Sequence, residues 1–130
     1  MINWNNLDTL TSFKELSEVE RVNLAEVMSG ENGAERVKDY SVPMTEDLTY
    51  NYAAKAVDDK VLAALAKLAK EAQLTEKYAA LYNGEVINTG EKRLVLHQLT
   101  RGQLGDKVEA DGVDKREFYV AQQKKAADFA

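Results

Sequence analysis

Residues 59–73 read DKVLAALAKLAKEAQ, the run that most clearly indicates a helix in this chain. Its larger apolar side chains recur at helical spacing, at Val61, Leu65 and Leu68, and the charged side chains lie outside that stripe. Asp58 precedes the run and is a candidate N-cap, because its carboxylate can accept hydrogen bonds from the first amides of a helix. The spacing predicts an amphipathic helix over residues 59–73 that buries one face.

Helical spacing also dominates the rest of the chain, which contains a single proline, Pro43. The helical stripe is lost over residues 41–52, which we predict as an irregular or extended connection with Tyr50 and Tyr52 on one side. Asp111-Gly112 indicates a small β-hairpin. Further helices are predicted at residues 7–16, 18–28, 33–38, 75–82 and from 115 to the carboxyl end. The predicted fold class is mainly α, a single helical segment over residues 1–130 with at most a small β-hairpin.

The composition is that of an ordinary globular chain. Of its 130 residues, 45% are hydrophobic and 30% are charged, and no window has the apolar length of a membrane span. The net charge of −5 argues against a nucleic-acid partner, and the basic pairs Lys115-Arg116 and Lys124-Lys125 are predicted to be solvated. The absence of cysteine excludes disulfides, and the single histidine excludes a His-rich metal site. With no secretion signal at the amino terminus, a cytoplasmic location is expected.

The groups that an active site needs are scarce in this sequence. A phosphate-binding loop needs several glycines together ahead of a helix, and the seven glycines here are scattered. The only histidine, His97, has an arginine four residues before it and another four residues after it, which favours a neutral, structural imidazole. The paired carboxylates lie where turns and helix starts would place acids. The residues therefore predict no catalytic, substrate-binding or metal site and no cofactor.

Asn88-Thr89-Gly90-Glu91 has the form of a capping box. In this motif the Asn88 side chain accepts from the amide of Glu91, and the Glu91 side chain reaches back to the amide of Asn88. The motif predicts a helix over residues 88–101, which Gly102 and Gly105 would end.

The predicted helix over residues 88–101 would carry one polar stripe. Arg93, His97 and Arg101 recur every four residues and would lie along one line. Leu96 and Leu99 already supply an apolar side. We therefore expect Arg93 and His97 to face buried polar partners and to position the helix against another surface.

Residues 83–97 read NGEVINTGEKRLVLH, and this run resembles a stretch shared by glucose-6-phosphate isomerases. The positions that fall in register without a gap are Gly84, Glu85, Ile87, Asn88, Glu91, Arg93, Val95, Leu96, His97 and Arg101. On the flanks, residues 39–41 are similar to an aromatic-serine segment of the family, residues 50–55 to its Asp-Tyr-Ser-Lys-Asn element and residues 62–74 to one of its helices. Departures at Asn51, Ala53, Ala54, Gly90, Leu94, Gln98 and Thr100 suggest a divergent branch.

The resemblance implies that the chain is the amino-terminal part of a cytoplasmic, homodimeric, cofactor-free isomerase. It implies an enzyme that interconverts glucose 6-phosphate and fructose 6-phosphate in glycolysis and gluconeogenesis, moving a proton between C1 and C2 through a glutamate base. The implied fold has two α/β sugar-isomerase domains with amino-terminal helices packed around them. The family's catalytic and phosphate-binding residues belong to later segments, so none is carried over to this chain. We expect residues 1–130 alone to be inactive.

Two kinds of function stay open for the segment at this point. In the first, the segment is a scaffold part of the isomerase. Its partners would then be the remainder of the chain, a second subunit and, in the full enzyme only, the sugar phosphate. The alternative is a free-standing helical protein-interaction module without enzymatic activity. A downstream reading frame with a Gly-rich phosphate loop and a glutamate base would exclude the second function.

Overall fold

The computed structural model describes residues 1–102 and 106–130 and is mainly helical. Its α-helices are α1 (Thr11–Glu18), α2 (Leu24–Ser29), α3 (Gly33–Asp39), α4 (Asp59–Glu71), α5 (Leu74–Tyr82) and α6 (Lys115–Phe129). Its strands are β1 (Ser41–Thr45), β2 (Leu48–Asn51), β3 (Glu109–Ala110) and β4 (Val113–Asp114), and short 3-10 helices lie at Leu7–Thr9 and His97–Thr100. The mainly α fold class is confirmed.

The chain falls into two compact units, one formed by Asn6–Glu71 and the other by Met1–Asn5 together with Ala72–Ala130. Each unit has a small core. The buried hydrophobic residues are Ala53 and Ala64 in the first unit, and Ala72, Ala80, Leu99 and Val108 in the second. A single undivided segment over residues 1–130 stays a prediction.

The helix predicted over residues 59–73 is confirmed as α4. Asp58 is its N-cap as predicted, since its Oδ1 accepts a hydrogen bond from the Val61 amide at 2.8 Å. The helix packs against α1 and buries Ala64. It ends at Glu71, two residues earlier than predicted, because Gln73 adopts a left-handed conformation with φ of 53°.

The first forty residues contain less helix than the sequence predicts. The helix predicted over residues 7–16 is interrupted at Leu10, whose backbone is extended, and resumes as α1. The helix predicted over residues 18–28 is wrong in its first half, because Asn23 caps a shorter helix by accepting from the Glu26 amide. That helix ends at Ser29, one residue beyond the predicted end, and the helix predicted over residues 33–38 is confirmed.

Residues 41–51 form an antiparallel hairpin of β1 and β2. The extended character of this part is confirmed, whereas its pairing into two strands was not predicted. Val42 lies opposite Tyr50 and Pro43 opposite Thr49, with an irregular register after Pro43. The rings of Tyr50 and Tyr52 stack with centroids 6.1 Å apart, so the prediction that they share one side is also confirmed.

The second unit follows its turn signals closely. The helix predicted over residues 75–82 is confirmed as α5, and Gly84 after it has φ of 73°. A Cβ atom at Gly84 would clash with the Val108 side chain, so this position needs glycine for space as well as for conformation. Asp111 and Gly112 both have positive φ and connect β3 to β4, which confirms the small hairpin. The helix predicted from residue 115 is confirmed as α6.

The helix predicted over residues 88–101 is wrong. Asn88 and Arg93 form an isolated antiparallel bridge, with backbone N–O distances of 3.3 and 3.2 Å, around a turn in which Lys92 has φ of 54°. Because the Asn88 carbonyl accepts from Arg93 and the chain turns back at Lys92, no helix can begin at Asn88. Only His97–Thr100 is helical, as a short 3-10 turn, and Gly105, the second predicted stop, lies outside the described residues.

Candidate functional site

Asn88, Glu91 and Arg93 lie together in the surface turn over residues 88–93. The Asn88 Oδ1 accepts from the Glu91 amide at 3.1 Å, which is one half of the predicted capping box. The other half is wrong, because the Asn88 amide donates to the Arg93 carbonyl and the Glu91 carboxylate instead accepts from the Asn88 side chain at 3.2 Å. Arg93 Nη1 lies 3.9 Å from the same carboxylate, and the two side chains are 76% and 64% exposed. The motif therefore stabilises a turn at the surface.

His97 lies apart from this turn, in the 3-10 helix at the rim of a cleft of about 280 Å³. The stacked rings of Tyr78 and Tyr82, 6.0 Å apart, form one wall of the cleft. Gln98 closes another wall by donating to the Leu81 carbonyl at 2.8 Å. The imidazole is exposed, and within residues 1–102 and 106–130 it forms no salt bridge with a carboxylate. The described part of the cleft contains no arrangement for nucleophilic catalysis.

Arg36 is a buried cation that the sequence reasoning missed. It lies on α3 and is only 9% exposed. Its guanidinium donates to three backbone carbonyls, those of Ala53 at 2.9 Å, Lys55 at 3.0 Å and Val57 at 2.8 Å. Its charge also lies 4.0 Å from the centre of the Tyr40 ring. Arg36 therefore holds the segment that joins β2 to α4, a role typical of the planar, five-donor guanidinium.

Arg116 plays the same part in the second unit. The prediction that the pair Lys115-Arg116 is solvated is wrong for Arg116, which is 8% exposed. It donates to the carbonyl of Asp106 and, at 3.2 Å, to that of Tyr82, while its buried Nη1 makes no hydrogen bond with residues 1–102 or 106–130. No signal in the sequence separates Arg116 from its solvated neighbours, because the carbonyls that it binds are distant along the chain.

Glu71 ties α4 to the start of α1. Its carboxylate accepts from the Ser12 hydroxyl, from the Ser12 amide at 2.8 Å and from the Thr11 amide at 3.2 Å. These amides begin α1 and have no partners within that helix, so a distant carboxylate takes the place of an N-cap. The hydrogen bond from the Ser12 hydroxyl, followed by that from its amide, lowers the pKa of Glu71 below its ordinary value.

The polar groups of both units thus hold backbone in place. Among the described residues, no group of three or more His, Asp or Glu side chains is arranged to hold a metal ion. In the same residues, no helix is both long and apolar enough to cross a membrane. The fold and these contacts define a helical structural segment.

Comparison with known proteins identifies the family that this segment matches. A family model described as Phosphoglucose isomerase matches residues 51–129. The glucose-6-phosphate isomerase of Treponema denticola is 51% identical over 98% of this chain, and that of Borreliella afzelii is 39% identical over 100% of it. A crystal structure of a glucose-6-phosphate isomerase from Chlamydia trachomatis matches 96% of the chain with a TM-score of 0.71 and 27% identity.

The chain belongs to the phosphoglucose isomerase family, since the family model covers more than half of it. It corresponds to an amino-terminal segment of such an isomerase and spans about a quarter of the length of the curated relatives that it matches. The resemblance seen at residues 83–97 is confirmed.

Proposed function

We propose that this chain is the amino-terminal structural segment of an enzyme that interconverts glucose 6-phosphate and fructose 6-phosphate. The proposal is supported by the family match and by relatives that are named glucose-6-phosphate isomerase. The full enzyme is a cytoplasmic homodimer, and residues outside this segment bind the sugar phosphate and move the proton. The segment itself supplies packing surface and has no turnover.

The observation that best supports a structural role is the large surface that the chain leaves exposed. Its accessible surface is 10254 Å² for 14.5 kDa. A compact protein of this mass exposes about 6,900 Å², and even two separate domains of half the mass would together expose about 8,300 Å². The excess over these values is at least about 2,000 Å². The exposed surface includes the large apolar side chains of Met44, Leu48, Phe118 and Phe129. Such a surface is expected of a segment that the rest of an enzyme covers.

Arg93 and His97 have a matching role in this proposal. Both side chains are exposed in the segment, and among the described residues the Arg93 guanidinium forms one long ion pair, of 3.9 Å, with Glu91. In the full enzyme they bind polar groups of the remaining polypeptide and so position the loop that carries them. This role replaces the one expected on a helix, because the helix over residues 88–101 does not form.

An activity assay tests the proposal directly. The purified 130-residue chain and the product of the whole reading frame are compared in a coupled assay that follows fructose 6-phosphate to glucose 6-phosphate. We expect turnover from the full product and none from the segment. Turnover that copurifies with the segment, and is lost when an acid within it is replaced, would overturn the structural role. An inactive full product would instead favour the free-standing interaction module.

A further inference from the structure

The hairpin of β1 and β2 has an exposed apolar side formed by Val42, Leu48 and Tyr50. Val42 lies directly opposite Tyr50, and Leu48 precedes Tyr50 by two residues, so the alternation of a strand puts all three on the same side. Their exposed fractions are 49%, 56% and 49%. We call these three residues the apolar hairpin side.

The opposite side of the hairpin carries Ser41, Pro43, Thr49 and Asn51, of which only Pro43 is apolar, and Asn51 anchors it to its own unit. Ser41 and Asn51 lie opposite one another on that side, and the Asn51 amide nitrogen donates to the Val37 carbonyl of α3 at 2.6 Å. An antiparallel sheet with one face in water normally buries its apolar face and solvates its polar one. In this hairpin both sides are exposed within the segment, so the apolar hairpin side is left uncovered.

A two-stranded hairpin in water is marginally stable unless a further surface packs on it. The charged residues of this hairpin, Glu46 and Asp47, lie in its turn, and its strands carry no charge that would keep the apolar hairpin side in water. The apolar hairpin side therefore resembles one of the two surfaces of a packed interface.

We propose that the apolar hairpin side is covered by aliphatic and aromatic side chains of the same isomerase polypeptide, from residues outside this segment. The inference rests on the proposed function, which supplies that polypeptide. A second subunit is the other candidate, but one partner's share of a standard interface is only about 800 Å². The excess surface of at least about 2,000 Å² is more than twice that share, so one such contact would leave most of it open. The matched relatives, of which this chain covers about a quarter, have ample further polypeptide.

Hydroxyl-radical footprinting of the unmodified proteins tests this assignment. Modification rates of Leu48 and Tyr50 are measured by mass spectrometry in the 130-residue chain and in the full-length isomerase, with an added peptide as dose standard. Buried Leu99 is the internal reference for a covered side chain. We expect rates well above that of Leu99 in the segment and a several-fold fall toward it in the full enzyme. Equal rates in the two proteins, or protection already complete in the segment, would overturn the inference.

Dilution of the full enzyme distinguishes coverage by the same polypeptide from coverage by a second subunit. The footprint of the full enzyme is repeated at protein concentrations above and below the dissociation constant of its dimer. Light scattering reports the oligomeric state at each concentration. Protection of Leu48 and Tyr50 that persists in the monomer supports coverage by the same polypeptide. Protection that is lost on dissociation assigns the surface to a second subunit and overturns the proposal.

A pair of neighbouring substitutions gives an independent readout in the full enzyme. Leu48→Asp puts a charge on the apolar hairpin side, whereas Thr49→Asp puts the same charge on the opposite side of the same strand. We expect Leu48→Asp to lower the melting temperature or the soluble yield and Thr49→Asp to leave both unchanged; Leu48→Ala serves where the first variant does not fold. Equal melting temperatures for the Leu48 and Thr49 variants would contradict the proposal. An active full enzyme with an open hairpin would refute this inference alone, and an inactive one would refute the proposed function.

Discussion

Arg36 and Arg116 are the residues whose surroundings differ most from those that the sequence indicates. Each lies near a helix start among exposed charged residues, yet each is buried and donates to backbone carbonyls. Within the described residues neither cation forms a salt bridge with a carboxylate; carbonyl oxygens instead accept three hydrogen bonds from Arg36 and two from Arg116. At the scale of residues, the buried arginine side chains of this segment form hydrogen bonds with the backbone.

The tie at Arg36 predicts a specific loss of stability. Arg36→Lys keeps the charge but cannot reach the carbonyls of Ala53, Lys55 and Val57 together, so buried acceptors lose their donor. We expect the free energy of unfolding to fall by about 1–3 kcal/mol in urea titrations. The control is Lys38→Ala on the exposed side of α3, which should change it by no more than about 0.5 kcal/mol. Equal stability of the two variants would show that other donors satisfy these carbonyls.

The hydrogen bonds accepted by the Glu71 carboxylate predict that the stability of the fold depends on pH. Its pKa is lowered in the folded chain, so the carboxylate stabilises the fold at pH values above its ordinary value of 4.5. That contribution is lost as the pH falls through the lowered pKa and the carboxylate is protonated. We expect Glu71→Gln to melt below the parent at pH 7, and the difference to shrink as the pH falls below 4.5. Thermal melts across this range test it, with Ser12→Ala as the matched variant; a difference that grows toward low pH would contradict the tie.

At the scale of elements, the same sequence pattern leads to two different structures. Asn88-Thr89-Gly90-Glu91 and Asp114-Lys115-Arg116-Glu117 both place a capping side chain three residues before a glutamate. Asp114 caps α6 by accepting from the amides of Arg116 and Glu117 at 2.9 and 3.4 Å. Asn88 makes the equivalent contact to Glu91, but the positive φ of Lys92 and the bridge to Arg93 turn the chain back. A local capping contact is thus compatible with a turn as well as with a helix.

Substitution of the two capping residues separates these roles. Asp114→Ala should lower the free energy of unfolding by about 0.5–2 kcal/mol and reduce the helical signal in far-UV circular dichroism. Asn88→Ala should leave that signal unchanged, because no helix begins at residue 88. Thermal melts and spectra of the two variants provide the comparison. A loss of helical signal in the Asn88 variant would restore the predicted helix over residues 88–101.

At the scale of the whole molecule, the chain buries little and exposes much. The fully covered side chains are small or few, with Leu99 and Val108 the largest, whereas Phe129 is 95% exposed. Most of α6 beyond Val120 is exposed on all sides in the segment, although an isolated helix of this length is marginal in water. These features agree with a segment whose surface is completed by the rest of an isomerase.

His97 provides a test at this scale. In the full enzyme that we propose, His97→Ala should lower stability by about 1–3 kcal/mol, because a polar partner would lose its hydrogen bond, while turnover per folded molecule should change far less. In the 130-residue chain the same change should cost no more than about 0.5 kcal/mol, since the imidazole is exposed there. Melting curves of both proteins, each with and without the substitution, and coupled assays of the full enzyme test this prediction. A loss of several orders of magnitude in turnover with an unchanged melting point would place His97 in the catalytic machinery.

The sequence by itself determined the helical class, the positions of α3 to α6, the hairpin at Asp111-Gly112 and the family. Helical periodicity, the N-cap at Asp58 and turns at glycine act within a few residues, so they can be read along the chain. Only the tertiary structure decided the pairing of β1 with β2, the turn over residues 88–93 and the burial of Arg36 and Arg116. The turn over residues 88–93 begins with the same local contact as a helix cap, so the local pattern does not separate the two structures. For the two arginines the physical reason is distance along the chain: Arg36 binds carbonyls 17 to 21 residues away and Arg116 binds one 34 residues away, and no local pattern records which distant carbonyl a side chain will meet.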